Sequence, residues 1–304
     1  MAGSLELPEN RYHVRSISMP SRSHPLALRV DEEVNKLKAW ERSSGSSLTK
    51  ETICIGLGHI RYLYDCIEDL LHLPLTQQSL INHHHEKCVD EISTGLVRLM
   101  DMCGTTRDTL MLMKEHMRTL QFALRRRGQE SCLETKVNEY IRSRKKVKKD
   151  INKCLGELKR MESKCASFSL ISTDQHLVMV VVELREVGAI TIAVLRAVLS
   201  FMSASRPNPK PSKWSLVSKL VRKGLVACEG EEDMNEIESV DVALSGLCTR
   251  IANKDAQMEK AQMANKRLEA LEIGIEDVEA GLECMFRRLI QTKVSLLNIL
   301  SLSS

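Results

Sequence analysis

The densest run of side chains able to hold a metal is His83-His84-His85, followed by Cys88. On one helix His84 and Cys88, or His85 and Cys88, would share a face, which supplies two ligands where a closed zinc site takes four. The simpler expectation is a half-buried His85 on an apolar stripe with two solvated neighbours. Nucleophilic chemistry has less to work with. The chain carries no GxSxG elbow, no glycine-rich phosphate loop, no HExxH and no CxxC pair, and its glycines stand singly. Its 40 carboxylates are spread so widely that some pair can always be drawn, so they single out no acid–base couple. The sequence therefore predicts a non-enzymatic protein with no catalytic residue, no cofactor, no metal and no small-molecule substrate.

Charge is more informative. Between Arg118 and Lys164 stand 15 Lys or Arg against 6 Asp or Glu, a balance of +9, whereas the whole chain carries only +4 and the rest of it therefore −5. Arg142, Lys145, Lys146, Lys149 and Lys153 fall on one helical face opposite an apolar stripe, forming a basic ridge. Such a ridge attracts nucleic acid, an anionic membrane or an acidic protein. Nucleic-acid readers add stacking aromatics, and aromatics are 3% of this chain. The competing expectation is a solvated face partly neutralised by the chain's own acidic segment, Glu229 to Asp241. Lys145 to Lys149 also has the composition of a nuclear address.

A third motif lies near the start. Arg15-Ser16-Ile17-Ser18-Met19-Pro20 fits the RSxSxP pattern that 14-3-3 proteins bind once the second serine is phosphorylated. Arg15, Ser16, Ser18 and Pro20 are its four defining residues. The alternative is a tail that packs on the folded part through Val14, Ile17 and Met19.

The elements that must position these groups read as helices throughout. From Leu177 to Met202 apolar residues crowd round most of a helical wheel, so this stretch is expected at the centre of a helical core. Glu183, Arg185, Glu186 and Arg196 interrupt it too often for a membrane span. Ser172, Thr173 and Asp174 offer a start cap. Other helices show apolar residues at alternating steps of three and four, as in Ile53, Leu57, Ile60, Tyr64 and Ile67. Gly104 reads as a break before a capping box at Thr105 and Asp108, and Ser131 with Glu134 as a second box. The stripe from Val137 to Cys165 is interrupted by Arg144 alone. The last one, Leu268 to Ile299, is broken by Thr292 alone, with Gly274 and Gly281 beside it. A second apolar row, Phe286, Ile290, Val294 and Leu297, implies that two sides of this last helix are covered.

The expected fold is an all-α, elongated, antiparallel multi-helix bundle over residues 31–304, behind a disordered basic, Ser-rich tail over residues 1–30. Pro207, Pro209 and Pro211 mark a hinge at residues 203–212. Ten scattered cysteines and an N-terminus without an apolar run point to a reducing compartment, cytoplasmic or alternatively nuclear.

Three stretches also resemble a plant-specific family that includes the BYPASS-type proteins: His13 to Pro25, Ala123 to Gly128, and Phe286 to Leu300. The resemblance implies a plant protein and, for the BYPASS members, a role in root and shoot development. It supplies no reaction and no ligand.

Overall fold

A computed structural model describes residues 24–44, 48–126, 130–166, 174–203, 234–247 and 254–302. Among them there are eight α-helices and no strand: α1 (Pro25–Ser43), α2 (Lys50–Leu71), α3 (Pro74–Asn82), α4 (Lys87–Arg125), α5 (Glu130–Ala166), α6 (Gln175–Ser203), α7 (Glu236–Leu247) and α8 (Lys254–Ser301). The all-α bundle is the fold, and it is elongated, since the 48 residues of α8 rise ~70 Å along the helix axis.

Four long helices form a ring in which α2 packs on α8, α8 on α4, α4 on α6, and α6 back on α2. The remaining helices fill its outer grooves. α1 lies against α2 and α6, α5 against α4 and α6, α3 against α6 and α8, and α7 along α8. Five helices thus surround α6, which is why it has to be apolar on nearly every side; Leu177, Val180, Leu195, Val198 and Phe201 are fully buried.

Registers give the directions. Lys114 meets Glu279 and Arg125 meets Glu269, so α4 and α8 are antiparallel. Lys50 meets Asp277 and Asp65 meets Arg288, so α2 and α8 run parallel. Tyr64 of α2 meets Thr191, and Thr76, at the start of α3 just beyond the C-terminus of α2, meets His176, so α2 and α6 are antiparallel. It follows that α4 and α6 are parallel too. The expected antiparallel packing holds between chain neighbours, and the parallel pairs, α1 with α6 among them, are helices far apart in sequence.

Local chemistry sets the starts. Pro25 and Pro74 open α1 and α3 in the first turn, where a missing N–H costs nothing. Thr49 Oγ1 accepts from Thr52 N at 3.3 Å to cap α2, and Asp174 Oδ1 accepts from His176 N at 2.8 Å to cap α6. Gly281 lets α2 approach α8: a Cβ there would stand 3.0 Å from Leu57 Cβ. At Gly274 it would stand 2.8 Å from Lys50 Cδ.

Several expectations need correction. α1 begins at Pro25, inside the stretch read as tail. α4 runs unbroken through Gly104 for 39 residues. Thr105 caps nothing there; its hydroxyl donates back to Asp101 O at 2.9 Å within the helix. The second row of α8 is not covered either, with Ile290 37%, Val294 48% and Leu297 48% exposed. It faces outward beside α4, where no third helix among the described residues arrives. The tail motif, the 204–212 part of the proline hinge, the segment around Trp214, the Ser131 side chain and the acidic run from Glu229 to Asp233 lie outside the described residues.

Candidate interaction surface

The ridge takes its position from α5. Val137, Tyr140, Val147, Ile151 and Leu158 are buried along one side of this helix, and Arg142, Lys145, Lys146, Lys149 and Lys153 are all exposed on the other. Lys153 pairs with Asp150 one turn back, at 3.0 Å. Among the described residues Arg142, Lys145, Lys146 and Lys149 form no ion pair. Of the acidic segment, Glu236, Glu238 and Asp241 are described, and none of them pairs with this face. Asp241 approaches α5 from inside, 3.6 Å from Arg144 Nε and 3.7 Å from Lys148 Nζ, and Glu236 accepts from the Lys50 backbone N–H.

Arg144, the interruption in the α5 stripe, is 5% exposed. Its Nη1 donates to the Met202 carbonyl at 2.6 Å, satisfying a C-terminal carbonyl of α6. Burial pushes the Asp241 carboxyl above its ordinary range, against the pull of Arg144 and Lys148. Burial, reinforced by Arg144, holds the Lys148 amine below its own. This cluster ties α5, α6 and α7 together. Thr292, the interruption in the α8 stripe, does the same for α2 and α8. The buried Glu68 carboxylate accepts from Thr292 Oγ1 at 2.7 Å and from Ser295 Oγ at 2.8 Å. Both breaks in the apolar pattern are polar clamps between helices.

The histidines are not on one helix. α3 ends at Asn82 and α4 begins at Lys87, so His83 to Glu86 form the turn between them. His83 Nδ1 lies 2.9 Å from Ser79 O, and His84 Nδ1 lies 2.9 Å from Ile81 O. His85, expected on the core stripe, is exposed, and His83 and His84 are the half-buried pair. Cys88 is buried beside Glu86. Among the described residues no three His, Cys, Asp or Glu side chains gather so as to hold a metal ion.

Sequence reasoning missed a groove. α5 runs out near Met161 and Lys164, and beyond its end the described residues of α4 and α6 leave a cavity of about 1160 Å³ along their seam. Leu96, Leu99, Leu184 and Ile192, all buried, form its apolar floor. Two glycines keep it roomy: a Cβ at Gly95 would meet nothing within 4 Å, and one at Gly188 only Leu99 Cδ1 at 3.9 Å. Asp90 and Glu91 stand on the α4 lip, and Arg98, Lys164 and Arg185 elsewhere on the rim. Its only sequence signal is a pair of glycines inside helices.

No helix among the described residues is long and apolar enough to cross a membrane. No curated protein and no solved structure matches the chain. The family model described as Protein BPS1 matches residues 56–299. That match takes in α3 to α7 whole, with most of α2 and α8, and includes both polar clamps. By this match the chain belongs to the Protein BPS1 family, that of the BYPASS-type proteins.

Proposed function

We propose that this protein is a non-enzymatic helical interaction protein, a scaffold whose outer faces dock other proteins. The observation that carries the reading is a division of polar groups. Arg144 and Glu68, inside the bundle, are engaged in clamps between helices, while Arg142, Lys145, Lys146 and Lys149 face outward without ionic partners among the described residues. Family membership extends the proposal to a role in root and shoot development in plants, exercised from the cytoplasm or, alternatively, the nucleus. The N-terminal motif around Ser18 adds a 14-3-3 protein as one candidate partner.

The test is proximity labelling in plant tissue with the wild-type chain and with Lys145→Glu/Lys149→Glu. The reading requires a set of proteins enriched with the wild type, part of which is lost from the variant. If neither form enriches any protein over an untagged control, it is wrong. The exposed basic ridge also favours a second reading, a peripheral membrane or nucleic-acid binder. Engaging four phosphates of duplex DNA gives a log–log salt slope of about −3.6. Binding to anionic vesicles or duplex DNA with a steep salt dependence, abolished in the charge-reversed variant, would favour that second reading over the first.

A further inference from the structure

We infer that α1 is a proton-dependent latch: it stays seated on α6 while Glu183 is protonated and lifts off with the ionisation of that carboxyl. The latch is independent of which partner the basic ridge serves. It rests on a charge that the fold leaves stranded. Glu183 sits on α6 at the contact with α1, 6% exposed, and its Oε2 has no hydrogen-bond partner among the described residues. Burying a lone carboxylate costs far more than burying the neutral acid. The charges around it do not relieve that cost. From α1, Asp31 repels the carboxylate and Lys38 attracts it; from α6 itself, Glu186 repels it. Lys38 is the one cation of this group, and Glu186 already holds it, with Nζ 2.9 Å from Oε2. Two further charged groups of α1 turn to α2, where Arg29 lies 3.5 Å from Asp69 and Glu33 lies 3.6 Å from His59. Among the described residues no charged group of α2, α3, α4 or α5 bears on Glu183.

α1 is the element able to respond. Five helices enclose α6, so lifting α1, which packs on α2 and α6 from outside, returns Glu183 to water without opening the whole bundle. Seated, α1 buries Val30, Val34 and Leu37. A 19-residue helix stripped of those contacts is marginal in water, so a lifted α1 frays. Burial, then Asp31 and Glu186, raise the seated carboxyl to about 7 against the pull of Lys38, whereas its ordinary value is 4.5. A carboxyl raised in this way favours the seated form at low pH, and that preference is lost as pH rises from 4.5 through 7. Between pH 6 and pH 8 the ratio of lifted to seated α1 therefore rises about tenfold.

The experiment is amide hydrogen exchange of the full chain, read by peptide mass between pH 6 and pH 8, in the wild type, Glu183→Gln and Asp31→Asn. Dividing each wild-type rate by that of Glu183→Gln at the same pH removes the intrinsic pH dependence of exchange. The amides of α1 should exchange ahead of those in the buried middle of α8, and their ratio should rise about tenfold from pH 6 to pH 8. Asp31→Asn removes a repelling charge at an exposed position and should reduce that rise. A ratio that stays flat overturns the latch. So does an α1 that exchanges no faster than α8, because Glu183 would then ionise only when the whole bundle opens. If Glu183→Gln does not fold, the same pH profile for α1 in the wild type and in Asp31→Asn overturns it instead.

Discussion

Replacing Arg144 by Met removes a guanidinium that is 5% exposed while keeping most of its volume. The Met202 carbonyl loses a 2.6 Å charged hydrogen bond, and Asp241 keeps only Lys148 of its two cations, at 3.7 Å. A charged hydrogen bond contributes about 1.5 to 3 kcal/mol, and the carbonyl it abandons costs about 1 to 3 kcal/mol when left buried without a partner. The two overlap. The expected loss is therefore that of breaking a buried pair, about 3 to 5 kcal/mol. Against a total stability of about 5 to 15 kcal/mol this is severe, and it corresponds to roughly 10 °C in Tm.

Urea unfolding followed by circular dichroism measures it. The companion variants are Asp241→Leu and the double replacement. Removing Asp241 alone takes one carboxylate from beside Arg144; removing both leaves an apolar contact between α5 and α7. The double variant should be more stable than the sum of the singles allows, by at least about 1 kcal/mol. A change within about 0.5 kcal/mol for Arg144→Met, or strict additivity in the double variant, refutes the reading of this cluster as a clamp.

Three further outcomes follow from the packing. Glu183 on α6 is buried against α1, and burial, then Asp31 and Glu186, push its carboxyl up to about 7 against the pull of Lys38. A carboxyl raised in the folded state is most favourable to stability below its unfolded pKa, near 4.5, and that contribution is lost as pH rises through 7. Tm should fall between pH 5 and 8, and Glu183→Gln should flatten that slope; identical slopes would show that another group titrates. Gly281→Val places branched carbons where even a Cβ meets Leu57 at 3.0 Å, and should cost about 1 to 3 kcal/mol by denaturant titration. Leu289→Asp puts a carboxylate at a fully buried seam position and should abolish the cooperative melt; a variant that melts normally and loses only self-association would make the seam an oligomer contact.

What was legible in the sequence is what helical periodicity carries. α6 announces its central place because a helix that is apolar all round has to be surrounded, and five helices surround it. Periodicity also located Arg144 and Thr292, as interruptions. It could not name their partners. Glu68 lies 224 residues from Thr292, and the Met202 carbonyl is a backbone group that no residue type signals. The same limit explains the errors. Phe286, Ile290, Val294 and Leu297 have the spacing of a covered face, but coverage depends on a neighbour that does not arrive, and Ile290, Val294 and Leu297 are exposed. Thr105 has the composition of a cap, yet a threonine inside a helix satisfies its hydroxyl by bonding back to the carbonyl of Asp101. The groove is the extreme case. Among the described residues it opens where α5 ends along the seam between α4 and α6, so it depends on where helices stop and not on any pattern within one of them.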